Sequence, residues 1–180
     1  MQTESLVNCS SGLRLLAGLT DNACRATMDE MPQRMAAAFA AIAGDAKLLP
    51  IAATRSDPVR YTRHLLHADP SGRFAIVSLV WEPGQFSPVH GHHAWCAYTV
   101  LGSTLTETQY AWDASTRLAT AVGCERLEEG AMSFAYAGLD AVHKLGNGGD
   151  NVALSIHIYG LDGARVGSHV NRLVGVAATA

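Results

Sequence analysis

At 180 residues, 48% of them hydrophobic, and with a formal charge of −3, the chain has the length of one well-packed domain, which buries roughly 70% of its unfolded surface. There is no basic field to attract nucleic acid or an anionic membrane, no apolar run near the roughly 20 residues that span a bilayer, and no basic signal region at Met1-Gln2-Thr3-Glu4. Neither partner is therefore expected, the expected compartment is the cytoplasm, and Cys9, Cys24, Cys96 and Cys124, scattered without a C-x-x-C, read as reduced thiols.

In chain order, the first predicted region is helical and spans about 1–57. Its clearest part is 29–43, where Met31, Met35, Phe39 and Ile42 recur at three- and four-residue intervals among alanines and Gly44 reads as the stop. That stripe is expected to pack on the rest of the protein and to carry no chemistry. From Arg73 the texture changes to short β-rich runs divided by turn residues: 74–81, 95–101, 105–112, 117–122 and 152–159. Their spacing predicts an antiparallel barrel or sandwich over about 58–160. Gly146-Asn147-Gly148-Gly149-Asp150 is a turn signal, expected to bring His143 side by side with the 152–159 strand. The extension 161–180 is expected to pack on the barrel exterior, with His169 incidental. There is no internal repeat or linker, so 1–180 reads as a single domain.

Histidine is out of proportion, with 8 residues against about four by general usage. His90-Gly91-His92 places two imidazoles on one face of a strand, where both can reach a single ion. His143, on a later predicted strand, completes a set of three neutral nitrogen ligands that leaves coordination positions open for catalysis. An H-x-H alone also occurs on solvated strand faces, so its context matters.

On the 152–159 strand, a side-chain period of two puts Val152, Leu154, Ile156 and Ile158 on one face and Ser155, His157 and Tyr159 on the other. Inside a barrel these polar groups must satisfy one another, since each unsatisfied one costs about 1 to 3 kcal/mol. On an exposed sheet face they would form a plain polar ladder. Tyr61 and Arg63 also share a face, offering a phenol and a guanidinium fork to one anionic group such as a carboxylate.

Gly84, followed by five residues and then His90-Gly91-His92, resembles the start of the first cupin motif, and Gly130, Gly138, His143 and Asn147 approximate the second with altered spacing. The resemblance implies a mainly β fold, a cupin or small jelly-roll β-barrel, here with N-terminal helices. Cys96 stands where the usual first motif has its glutamate ligand and Tyr136 where the second has proline, so the implied ligand set is three histidines without a carboxylate.

Over 61–159 the pattern resembles the cysteine dioxygenase family, which includes 3-mercaptopropionate dioxygenases. Tyr61-Thr62-Arg63-His64-Leu65 is similar to its carboxylate-binding strand, Ser87-Pro88-Val89-His90-Gly91-His92 to its iron-binding segment, and Leu154-Ser155-Ile156-His157-Ile158-Tyr159 to the strand of its outer-sphere Ser-His-Tyr relay. The resemblance implies one Fe(II) on His90, His92 and His143, Arg63 as the anchor of the substrate carboxylate with Tyr61 helping, and Ser155, His157 and Tyr159 as the catalytic relay. The implied reaction is O2-dependent oxidation of a small thiol to its sulfinic acid. In mammalian members a cysteine near Cys96 is joined to the relay tyrosine by a thioether, which here would pair Cys96 with Tyr159. Bacterial members commonly have glycine there, and this chain has one residue fewer between H-x-H and the cysteine, so a buried free thiol stays the alternative.

The implied substrate is a carboxylate-bearing thiol. Arg63 favours L-cysteine, whereas Leu65-Leu66-His67-Ala68-Asp69-Pro70 and Trp81-Glu82-Pro83-Gly84-Gln85 look closer to the bacterial 3-mercaptopropionate branch, and mercaptosuccinate would also suit an arginine pocket. From other classes, a non-catalytic metal-binding or sensor cupin and a Zn(II) or Ni(II) isomerase or hydrolase stay open, because imidazole suits several ions. The sequence does not fix the oligomeric state.

Overall fold

A computed structural model describes residues 10–45 and 47–178, so Cys9 lies outside the described residues. Two helices, α1 (Ser11–Ala23) and α2 (Met31–Ala40), precede eleven strands: β1 (Thr62–Ala68), β2 (Ala75–Trp81), β3 (His90–His92), β4 (Cys96–Gly102), β5 (Leu105–Asp113), β6 (Leu118–Leu127), β7 (Met132–Ala135), β8 (Gly138–Gly146), β9 (Ala153–Tyr159), β10 (Asn171–Leu173) and β11 (Gly175–Val176). They form two sheets of five and six strands, ordered β1-β2-β9-β4-β7 and β10-β3-β8-β5-β6-β11. The mainly β barrel with helices before it is the expected fold.

Both helices begin for local reasons. Ser10 caps α1, its hydroxyl accepting from the Leu13 N–H at 3.1 Å, and Pro32 sits in the first turn of α2, where its missing N–H costs nothing. The predicted methionine and phenylalanine stripe packs as expected: Met31, Met35, Phe39 and Ile42 join Leu13 and Leu16 against Ile76, Ala97, Ile156 and Ile158 on the outer face of the five-stranded sheet. The helix is shorter than 29–43, because a 3-10 turn over Met28–Glu30 precedes it and Ala41 ends it; Gly44, at φ 73°, closes the following turn. Covering the outer face with helices leaves β2 buried on both sides, which is why it reads as an apolar run interrupted only by Ser78, whose hydroxyl donates to the Ala53 carbonyl at 2.7 Å. Its inward residues, Ala75, Val77, Leu79 and Trp81, form a second cluster with Cys96, Tyr98, Leu145 and Tyr159 inside the barrel. Arg73 ties α1 to the barrel by pairing with both Asp21 and Asp69.

Two expectations about connection need correction. His143 and the 152–159 strand are not side by side in one ladder: β8 pairs with β3 and β5, and β9 pairs with β2 and β4. The glycine-rich segment crosses between sheets instead of closing a hairpin. Asn147, fully buried, organises the crossing: its amide donates to the Trp81 and Asn151 carbonyls at 2.9 and 2.7 Å and its Oδ1 accepts from the Gly149 N–H at 3.0 Å. The C-terminal extension does not merely cover the exterior. It adds β10 to the edge of the six-stranded sheet, with Asn171 opposite His92 and Leu173 opposite His90. His169 stays outside the three-histidine cluster, its ring 6.3 Å from that of His93 and its Nδ1 2.8 Å from the Ser168 hydroxyl.

Candidate active site

Strand pairing brings the predicted ligands together. β3 carries His90 and His92, and His90 lies directly opposite His143 of β8. The ladder slips between His90 and His92, whose partner is Gly138, and this irregularity lets backbone crowd Gly91. A Cβ on Gly91 would lie 2.5 Å from the Gly138 carbonyl oxygen, so only glycine fits between the two ligands. The three rings have centroids 4.6 to 5.3 Å apart and offer ligand atoms within 4.8 Å of one another.

The donor set suits a metal ion. His90 Nδ1 is 2.8 Å from the Pro88 carbonyl and His143 Nδ1 is 2.5 Å from Glu107 Oε1, which leaves Nε2 of each ring free to coordinate. His92 Nδ1 is buried without a protein partner. Burial and the neighbouring His143 push His90 and His92 down to about 3, so both rings are neutral at ordinary pH, the form that can bind a metal.

The polar face of β9 is also as expected. Ser155, His157 and Tyr159 are buried, not an exposed ladder. The Ser155 hydroxyl is 2.9 Å from His157 Nε2, and the Tyr159 hydroxyl 3.3 Å from His157 Nδ1. Burial drives His157 well below its ordinary value, aided by the Arg63 charge, and drives the Tyr159 phenol well above its own, so both are neutral. Trp81, not among the residues predicted for the site, donates its indole N–H to Ser155 at 3.0 Å. With that oxygen accepting from Trp81, Ser155 can give its own proton to His157 Nε2. The remaining imidazole proton then sits on Nδ1 toward Tyr159, and the phenolic O–H is left to donate elsewhere.

Arg63 and Tyr61 flank the same cavity as the histidines and Tyr159. Arg63 donates from Nη2 to the Tyr61 hydroxyl at 2.9 Å and to Asn171 Oδ1 at 3.4 Å, and its Nε is buried with no partner. Tyr61 is fixed by stacking on Trp81 at 4.4 Å between centroids. Asn171 could not be foreseen, since nothing in the extension marks a strand. Cys96 is buried, lines the cavity and lies opposite Tyr159; burial pushes its thiol far above the ordinary range. A larger cavity of about 350 Å³ adjoins the cluster on another side, sharing His92, Cys96, Tyr98 and His143, and has Glu107 and Asp140 but no lysine or arginine in its wall.

The sequence reading also missed Glu107 and Tyr98. Both are buried, and the Tyr98 hydroxyl donates to Glu107 Oε1 at 3.0 Å. The signal was there: Glu107 has the inward parity of Leu105, an acidic residue where the alternation calls for an apolar one.

A family model described as Cysteine dioxygenase type I matches residues 1–162. The chain belongs to this family. The cysteine dioxygenase type I match spans both helices and the barrel, and among solved structures the fold is shared more widely. An uncharacterized conserved protein with a double-stranded β-helix domain from Klebsiella pneumoniae superposes with a TM-score of 0.51 at 16% identity, over 66% of this chain and 88% of its own. The TT1209 protein from Thermus thermophilus gives 0.49 at 20% identity, over 61% and 91%. A Cupin 2 conserved barrel domain protein from Salinispora arenicola gives 0.45 at 20% identity, over 66% and 89%. Cysteine dioxygenase family membership implies a dioxygenase on a cupin fold acting on a small thiol with O2, and the three-histidine group could hold a metal ion. Among the described residues no helix is long and apolar enough to cross a membrane.

Proposed function

We propose that the protein is an Fe(II)-dependent thiol dioxygenase that converts a small carboxylate-bearing thiol, L-cysteine by preference, to its sulfinic acid. The observation that carries the reading is the convergence of His90, His92 and His143 beside an arginine whose Nε has no protein partner. His90, His92 and His143 would hold the iron. Bound Fe(II) would supply the site for the substrate thiolate and for dioxygen, and the redox chemistry that moves both oxygen atoms to sulfur.

The protein's own groups do the rest. Arg63 grips the substrate carboxylate, steadied by Tyr61 and Asn171, which fixes where the sulfur can lie. The acidic wall of the larger cavity disfavours an anion there, so the carboxylate is directed to the Arg63 side. Ser155 and His157 position the Tyr159 hydroxyl, which donates its proton as a hydrogen bond to the reacting group. Cys96 and Tyr159 belong to the proposal as a thioether pair. A reducing, cytoplasmic setting fits Cys24, Cys96 and Cys124, none of which is in a disulfide.

3-Mercaptopropionate and mercaptosuccinate are the rival substrates, since the same arginine would anchor either. A non-catalytic metal-binding cupin would have no use for the buried Ser155-His157-Tyr159 chain. The test is anaerobic reconstitution with Fe(II), then oxygen uptake and sulfinate detection with L-cysteine, 3-mercaptopropionate, mercaptosuccinate and cysteamine. Sulfinate from the acids in preference to cysteamine is expected. Turnover of no thiol would overturn the enzyme reading in favour of a sensor or storage barrel.

A further inference from the structure

Glu107 is a buried carboxylate hydrogen-bonded to His143, with the two side chains 9% and 12% exposed. β5 and β8 set this contact by register. Glu107 lies opposite Leu145 and Gln109 opposite His143, so Glu107 and His143 are diagonal neighbours across the ladder. The carboxylate accepts from His143 Nδ1 at 2.5 Å and from the Tyr98 hydroxyl at 3.0 Å on the same oxygen. Tyr98 in turn lies against His157 at 5.0 Å between centroids and only 19° from parallel.

A buried carboxylate without a basic partner is costly unless positive charge stands near it. None of the three imidazole ligands brings negative charge to a divalent ion. Glu107 supplies it one ring away. Its hydrogen bond also decides which nitrogen of His143 carries the proton, because a carboxylate can only accept. The proton belongs on Nδ1, and the lone pair of Nε2 is left for the ion.

We propose that the Tyr98–Glu107 pair is the positioning device of the metal centre: Glu107 fixes the tautomer and orientation of His143 and lends it negative charge, while Tyr98 holds the carboxylate and braces the His157 ring. One phenol thereby supports both a metal ligand and the relay that faces the substrate. The inference rests on the reading of His90, His92 and His143 as the metal site.

Three measurements test it. The parent protein, Glu107→Gln and Tyr98→Phe are titrated anaerobically with Fe(II) and with Co(II), whose absorption bands report ligand geometry. The Fe(III)/Fe(II) midpoint potential of each is then measured. Glu107→Gln, which keeps the side-chain shape, is expected to bind roughly 10- to 100-fold more weakly, with altered Co(II) bands and a more positive potential. Tyr98→Phe is expected to move all three in the same direction by less. A Glu107→Gln protein that unfolds more easily yet binds within threefold of the parent at unchanged potential makes the pair merely structural and overturns the inference. If Glu107→Gln does not fold, nitrogen-15 couplings of His143 in the metal-free parent decide. A proton on Nδ1 is expected, and one on Nε2 overturns the inference. Failure of the parent to bind metal would overturn the metal reading and this inference with it; parent binding with unaffected variants overturns this inference alone.

Discussion

Cys96 sits directly across the β4–β9 ladder from Tyr159, and both side chains line the cavity that holds the three histidines. Cross-strand neighbours have Cβ atoms roughly 4.5 to 5.5 Å apart, within reach of a bond from sulfur to the phenol ring. Forming that thioether removes the thiol hydrogen and one ring hydrogen, with dioxygen as oxidant. Protein turned over with Fe(II), thiol and O2 is therefore expected to contain a species lighter by two hydrogens, absent from Cys96→Ala, with the linkage located by peptide mass spectrometry. An unchanged intact mass after many turnovers would leave Cys96 as a buried free thiol.

Arg63→Ala removes the group assigned to the substrate carboxylate. Hydrogen bonds to charged groups contribute about 1.5 to 3 kcal/mol, so kcat/KM for the thiol acids should fall by roughly 10- to 100-fold. Cysteamine, which has no carboxylate, should be barely affected. Steady-state oxygen uptake with both substrate types gives the comparison, and an equal loss for cysteamine would remove Arg63 from substrate recognition.

His157 and His143 are both buried in the same barrel, yet they should fail differently. His143→Ala removes a proposed ligand and is expected to lose iron. His157→Ala is expected to keep iron and lose most activity, because it cuts Tyr159 loose from Ser155. Iron content by absorption spectrometry beside kcat separates the two. Comparable iron loss in both would mean that His157 belongs to the ligand set.

Gly91→Ala tests the crowding between the ligands. The added methyl would lie 2.5 Å from the Gly138 carbonyl and 2.9 Å from a Leu139 methyl, so β3 and β8 must separate. Metal affinity should drop at least tenfold and the unfolding midpoint should fall, a small-to-large change costing about 1 to 3 kcal/mol. Wild-type metal binding in this variant would show that the β3–β8 spacing does not control the site.

The metal-free protein should lose stability as pH falls through the histidine range. In the folded chain burial holds His90 and His92 down to about 3 and His157 well below its ordinary value, whereas unfolded histidines take up protons near 6.5. The unfolded state thus binds more protons below that point. The stabilisation is fully present above about pH 6.5 and is lost progressively toward 3. Urea unfolding at pH 7.5, 6.5 and 5.5, above the range of the carboxylates, should show a falling midpoint. A flat profile would mean these rings are solvated in the folded chain.

The sequence by itself determined the features governed by short-range periodicity. Alternation of two in β9 separated Ser155, His157 and Tyr159 from Ile156 and Ile158, and the three-to-four spacing of Met31, Met35 and Phe39 marked the face that α2 buries. His90-Gly91-His92 carried its chelating geometry within a single strand. Edge and solvated elements were harder to read. β6 runs to Leu127, beyond the predicted 122, because Glu125 and Arg126 face water and leave no apolar alternation to follow. β7, β10 and β11 are short and drew no signal.

Only the tertiary structure decided which strands meet. A glycine-rich turn between two strands can close a hairpin or cross between sheets, and local chemistry does not distinguish the two. Here it crosses, because β8 finds β3 and β5 while β9 finds β2 and β4. The same long-range pairing sets Glu107 behind His143, Trp81 on Ser155 and Asn171 beside Arg63, contacts between residues 36, 74 and 108 positions apart. Hydrophobic patterning specifies which face of a strand is inward but not its neighbour, so the paired histidines and the polar face of β9 were legible while most of the groups that hold them were not.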